Sequence, residues 1–201
     1  MDIVLGLDID GVVLNYGPSL LEYGVSKGLR IGCEWHEVDM YNMAKAFPEL
    51  DKDGIMSLIA EFSEDEAFSR IREMEGFSAA LAEIRSANPG LRLIAITSAG
   101  VTDRTIELRR KNLAQFGFDE IHVLPLLASK EAHLAELPRG SVFVDDLKRH
   151  VDSAEKVGLT GILVRQPYNA QDDHEFVMND WVEGASLINA ILQANIARLA
   201  A

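Results

Sequence analysis

Two pairs of aspartates follow short apolar runs in this chain of 201 residues. Asp8 and Asp10 lie in Asp8-Ile9-Asp10-Gly11-Val12-Val13, directly after Ile3-Val-Leu-Gly-Leu7, and Asp145-Asp146 follows Ser141-Val-Phe-Val144. On extended backbone, residues two apart point to the same side, so Asp8 and Asp10 can address one ligand. Gly11 then lets the chain turn close to that ligand. Taken alone, Asp-x-Asp-Gly suits a polar turn equally well. It is not an EF-hand loop, which carries its glycine at position six and a later glutamate. Two more polar groups end or follow apolar runs: Thr97-Ser98-Ala99-Gly100, and Lys130 in Ala128-Ser129-Lys130-Glu131.

The positioning elements come from the pattern between these motifs. Apolar runs at 3–7, 91–97, 121–124, 141–144 and 161–164 read as strands buried on both faces of a parallel sheet. Helical spacing separates them at 78–87, 103–116, 150–157 and 184–199, and Asn88-Pro89-Gly90 acts as a stop and turn. The alternation predicts an α/β fold, a Rossmann-like parallel sheet of about five strands flanked by helices. Ligands of such sheets bind beyond the carboxyl ends of the strands, so the aspartates, Thr97 and Lys130 are expected to converge there. Residues 17–76 break the rhythm, with helical patterns at 18–29, 36–47 and 54–62 and a capping-box spacing at Ser63-Glu64-Asp65-Glu66 before a helix to about residue 74. The expected organisation is therefore a core of residues 1–16 and 77–201, with a small helical cap at 17–76 inserted after the first strand.

Four carboxylates at one sheet edge repel one another and raise each other's pKa. A hard divalent cation removes the conflict. Magnesium takes oxygen ligands and usually keeps several waters, so two carboxylates and a carbonyl suffice. Lys130 offers a compact positive charge suited to phosphate.

The bulk numbers narrow the partners. Apolar residues make up 48% and charged residues 25% of the chain, enough for a substantial core. The formal charge of −13, from 19 Lys and Arg against 32 Asp and Glu, disfavours nucleic acid polymers and anionic membranes. It leaves room for a small phosphorylated metabolite held through a cation. No apolar run nears the roughly 18 residues of a membrane span. Met1-Asp2 leads straight into an apolar run with no basic stretch, so no secretory signal is expected. The single cysteine, Cys33, excludes an internal disulfide and suits a reducing compartment. A cytoplasmic protein, monomeric or homodimeric, is expected.

In their order along the chain these motifs resemble those of the haloacid dehalogenase superfamily: Asp8-Ile-Asp10-Gly11-Val12 its first, Thr97 its second, Lys130 its third and Asp145-Asp146 its fourth. The resemblance spans about residues 2–165, with the helical insertion where many members carry a cap. It implies a magnesium-dependent phosphoric monoester hydrolase. Asp8 would be the nucleophile that forms an aspartyl-phosphate, and Asp10 the general acid and base. Mg2+ would be held by Asp8, the Asp10 carbonyl and Asp145 or Asp146. Lys130 would offset charge on the phosphoryl group, and Thr97 with the Ser98 amide would hydrogen-bond its oxygens. Within the superfamily the chain looks most like the 5'(3')-deoxyribonucleotidase-type phosphatases, through the opening motif, the small helical cap, the Thr-Ser and the adjacent aspartates. A nucleoside monophosphate would then be the substrate, with Trp35, Tyr41 or Phe47 able to stack on a base.

Other readings are open on the same residues. A phosphosugar mutase shares the first motif and the aspartyl-phosphate, and a non-catalytic phosphate-binding relative shares the acidic pocket; a dehalogenase needs neither Asp10 nor a metal-binding pair. Lys148 competes with Lys130 for the phosphate role. Arg109-Arg110-Lys111 reads as a solvated helix face, Asp152 as a helix N-terminal residue, and the five histidines as structural or exposed.

Overall fold

The structure, a computed structural model, describes residues 3–39 and 43–200. Val4–Leu7 (β1) is buried along its whole length, as a run of Val-Leu-Gly-Leu with no polar alternation requires. It lies inside a six-stranded sheet with Arg92–Ser98 (β2), Glu120–Leu124 (β3), Val142–Asp145 (β4), Thr160–Val164 (β5) and Val177–Met178 (β6). The order is β3-β2-β1-β4-β5-β6 and every pairing is parallel. This is the expected Rossmann-like α/β fold with one strand more than the sequence pattern gives. β6 has only two residues, too few to leave a periodic signal.

Helices connect and cover the strands: Tyr16–Ser26 (α1), Lys52–Glu64 (α2), Phe77–Ala87 (α3), Asp103–Leu113 (α4), Glu131–Leu134 (α5), Lys148–Lys156 (α6) and Trp181–Leu199 (α7). Side-chain caps set several starts. Asp51 accepts from the Gly54 amide at 2.8 Å, Thr102 from Thr105 at 3.1 Å, and Asp180 from Glu183 at 2.8 Å. The Asp180 cap begins α7 three residues before the glycine taken from the sequence as its start. Alternate strand residues feed two buried clusters: Leu5, Leu7, Leu93, Ala95, Val142 and Val144 on one face, and Val4, Ile94, Ile96 and Phe143 on the other.

Register brings the motifs together. Leu7 pairs with both Ala95 and Val144, so the next residues of β1 and β4, Asp8 and Asp145, leave the sheet side by side. The Asp8 amide still donates to Val144 O at 2.9 Å. The order reverses beside β1, and the crevice at such a switch point is where open α/β sheets bind ligands.

Among the described residues, 17–76 contains no strand. Two expectations for this segment are corrected. In place of a helix over 36–47 the described residues form a 3₁₀ turn, Trp35–Glu37, and a turn at 44–46; Tyr41 lies outside the described residues. Ser63 does not start a new helix but ends inside α2, and Asp65 caps the 3₁₀ turn Glu66–Arg70 by accepting from Ala67 at 2.9 Å. The carboxylate reaches the Ala67 amide while the backbone of Asp65 is extended, which breaks the helix there.

The segment leaves and rejoins the core at one point: Asn15 N donates to Arg72 O at 2.9 Å and Met74 N to Val13 O at 2.8 Å. Its described residues form no separate core, because Leu20, Phe47, Ile55, Phe62 and Phe68 join the sheet residues in the first cluster. Trp35 lies against α1 at Gly17, where an added Cβ would come within 2.2 Å of the indole ring. Gly17→Ala is therefore expected to expel Trp35, red-shifting tryptophan emission and destabilising the fold by about 1–3 kcal/mol, as overpacking does. Unchanged emission and acrylamide quenching would show that Trp35 does not occupy that position.

Candidate active site

The carboxyl ends of β1, β2 and β4 and the loop after β3 share a cavity of about 220 Å³ lined by Asp8, Asp10, Thr97, Ser98, Lys130 and Asp146, with Trp35 on its helical side. Asp145 lies directly behind it, fully buried. The aspartates, Thr97, Ser98, Lys130 and Trp35 thus stand in or against one cavity, whereas Phe47, the other described candidate for stacking on a base, is buried in the core beside Gly24.

Lys130 is the centre of the cluster. It is 1% exposed, and its Nζ lies 2.8 Å from Asp8 Oδ1 and 2.7 Å from Asp145 Oδ2. Lys148, the competing lysine, instead pairs with Asp152 at 2.6 Å on the surface of α6. Burial would lower the lysine pKa, but Asp145 and Asp8 outweigh it and raise it. Asp145 is also held by the Leu147 amide at 2.8 Å and His150 Nδ1 at 3.1 Å. Burial works against its ionisation, yet Lys130 and His150 keep the carboxyl below the ordinary aspartate range. Asp8 is less well compensated. Burial pushes its pKa up to about 6, Lys130 pulling it down and Asp145 and Asp10 adding to the rise. Burial, reinforced by Asp145 and Asp8, holds Asp146 well above the usual range.

One carboxylate oxygen from each of Asp8, Asp145 and Asp146 lies within 4.8 Å of the other two. This all-oxygen, hard donor set fits a magnesium ion. Charge fits as well: Asp8, Asp10, Asp145 and Asp146 against Lys130 and Arg109 leave two formal negative charges, the complement of one divalent cation. Gly11 keeps the approach open. Its φ is +81°, and an added Cβ would press on Asp146 Oδ2 at 2.8 Å. Thr97 Oγ1 is buried with no hydrogen-bond partner among the described residues. Such a group costs about 1–3 kcal/mol unless a ligand completes it, and an oxyanion would. Ser98 Oγ makes a long bond of 3.4 Å to Ala128 O.

Three contributors escaped the sequence reading. Arg109, taken for part of a solvated face, is completely buried, and its Nη2 reaches both oxygens of Asp10 at 2.7 and 2.6 Å. Its guanidinium carbon sits 4.2 Å from the centroid of the Phe68 ring. A buried arginine in a basic triplet carries no distinguishing signal; only the inward turn of α4 separates it from Arg110 and Lys111. Tyr168 donates to Asp146 Oδ2 and packs edge-on against Trp35 with centroids 5.8 Å apart. His150, buried on the cavity wall with its Nδ1 on Asp145, is the third. Asn169 Nδ2 and Gln166 Nε2 brace the loops, on Asp146 O and Gly11 O, each at 2.7 Å.

No family model matches the chain, and no curated protein matches its sequence. Solved structures do match. A protein named as a haloacid dehalogenase-like hydrolase from Burkholderia xenovorans LB400 superposes with a TM-score of 0.65 at 18% identity, over 96% of this chain and 99% of that one. The fold is that of the haloacid dehalogenase-like hydrolases. A protein named as a phosphatase from Clostridium difficile gives a TM-score of 0.63 at 14% identity, over 94% and 99% of the two chains. CbbY from Rhodobacter sphaeroides, in complex with xylulose-(1,5)-bisphosphate, gives 0.54 at 15%, over 91% and 96%. The likeness to these hydrolases is one of fold; the 5'(3')-deoxyribonucleotidase type is not distinguished by it.

The two aspartates of the first motif should respond oppositely to neutralisation. Both folded and unfolded Asp8 are protonated below about pH 4. Above about pH 6 the folded protein holds a buried charge that the unfolded chain carries at lower free energy. In EDTA, Asp8→Asn is therefore expected to stabilise the fold by on the order of 2 kcal/mol at pH 7 and hardly at all at pH 4. Asp10→Asn strands the buried Arg109 charge and is expected to destabilise by about 3 kcal/mol. Urea denaturation of both variants at the two pH values checks the signs.

Proposed function

We propose that the protein is a magnesium-dependent phosphatase of small phosphomonoesters, working through an aspartyl-phosphate on Asp8. The observation that carries this reading is the convergence, in one cavity, of a buried Asp8 paired to Lys130, an unpartnered Thr97 hydroxyl and an acidic cluster two charges in excess.

The residues divide the work as follows. Lys130 engages Asp8 Oδ1, leaving Oδ2 to attack phosphorus. The new O–P bond forms as the bond to the leaving alcohol oxygen breaks, and Asp10 delivers the proton that oxygen needs. Water then attacks the aspartyl-phosphate, Asp10 takes back a proton, and the carboxylate of Asp8 and inorganic phosphate are released. Thr97 and the Ser98 amide hold phosphoryl oxygens, and Lys130 neutralises charge beside them. Magnesium, held by Asp8, the Asp10 carbonyl and Asp146, would supply electrostatic stabilisation of the transferring phosphoryl group. Arg109 orients Asp10. Asp145 holds Lys130 in place and need not touch the metal, since both of its oxygens are already engaged. Residues 17–76 serve as the cap over this chemistry, and nucleoside monophosphates are one substrate group to try.

Phosphate release from a panel of phosphomonoesters, with magnesium and with EDTA, tests the reading. Release is expected only with the metal, and Asp8→Asn should lower it by at least 10³-fold while the variant stays folded. Full turnover in that variant would remove Asp8 as nucleophile, and an isomerised phosphosugar in place of free phosphate would indicate a mutase.

A further inference from the structure

Among the described residues, only two non-glycine residues have positive φ, Met43 at 58° and Leu127 at 61°. Both line the cavity that holds Asp8. A left-handed backbone is unfavourable for side chains of this kind, and strain that persists tends to mark binding or catalytic sites. Leu127 is also 57% exposed, so burial in the core does not explain its placement. Here two strained positions each set an apolar side chain on the wall of one cavity, approached from opposite parts of the chain.

Beside Met43, the helical segment gives the wall the same chemistry. α2 contributes Ile55, Met56 and Ile59, and the turn at Trp35 adds a half-buried indole braced by Tyr168. The nearby hydroxyl of Ser63 is already committed to Ala60 O at 2.8 Å. Among the described residues, the lysine and arginine side chains on the cavity besides Lys130 are Lys52 and Arg149, both on exposed residues. A polyol placed against the α2 and Trp35 face would lose water from its hydroxyls against apolar atoms. A second phosphate would find no buried cation to receive it.

We infer that the substrate is a monophosphate ester whose alcohol side carries a flat aromatic ring, seated between Trp35 and the α2 face and closed at the mouth by Leu127. This rests on the phosphatase reading and narrows it to ring-bearing monoesters, excluding sugar phosphates and bisphosphates. The ring can belong to a simple aryl ester or to a nucleoside.

The test measures kcat/KM with magnesium for phenyl phosphate, 2-naphthyl phosphate and thymidine monophosphate. The comparison set is glucose 6-phosphate, phosphoglycolate, xylulose 1,5-bisphosphate and acetyl phosphate. At least one ring-bearing ester is expected to exceed every ring-free organic ester by 100-fold, and whether the aryl esters or the nucleotide lead identifies the source of the ring. Leu127→Gly supplies a second readout, because glycine relieves the positive φ. Its unfolding midpoint should be equal or higher, while KM for the preferred ring ester rises at least fivefold. Equal or better turnover of sugar phosphates, or an unchanged KM in Leu127→Gly, would overturn the inference and leave the phosphatase standing. No phosphate release from any of these compounds, acetyl phosphate included, would overturn both.

Discussion

Lys130 Nζ sits between Asp8 and Asp145 with almost no access to water. An isolated charge so placed is costly, and the arrangement holds only because each member has partners. The parallel register of β1 and β4 sets the two carboxylates side by side. The loop after β3 carries the lysine to them, and His150 and the Leu147 amide complete Asp145. Every strand end near the switch point of the sheet thus contributes to one electrostatic problem. Its solution leaves the cluster two charges short of neutrality, which is why the same geometry suits a divalent cation and an oxyanion together.

The helical segment is bound to this cluster by more than proximity. Its two ends are tied to residues 13–15 immediately beyond Asp10. Phe68 packs on the arginine that holds Asp10, and Trp35 packs on the tyrosine that holds Asp146. Its apolar residues join the core beneath the sheet face. One segment therefore supplies the distal wall of the cavity and supports two of the four carboxylates. The positive-φ residues Met43, in that segment, and Leu127, in the loop after β3, line the same cavity and lie outside the sheet, where burial on both faces leaves no room for irregular backbone.

Much of this was legible in the chain. The apolar runs ending in Asp8, Thr97 and Asp145 announced parallel strands and the edge at which their polar residues would meet, because strands buried on both faces lose their alternation and a carboxylate has no place inside them. β6 was not legible, since two residues make no pattern, and neither was the break at Asp65, where a side-chain bond to the Ala67 amide competes with the helix. The turn at Trp35 replaced an expected helix over 36–47 because helical spacing of apolar residues also arises where a segment merely packs on a core.

By itself, the sequence determined the α/β class, the helical segment after the first strand, and the residue types gathered at the strand ends. These follow from local pattern and from the rule that ligands sit beyond the carboxyl ends of parallel strands. The tertiary structure alone decided which charges face which. Arg109 and Arg110 are neighbours of one type, yet only Arg109 turns inward to Asp10. Lys130 and Lys148 each follow a strand, yet only Lys130 is enclosed by two carboxylates. Partner choice depends on distances of a few ångströms between residues about 100 positions apart, and sequence spacing holds no record of those.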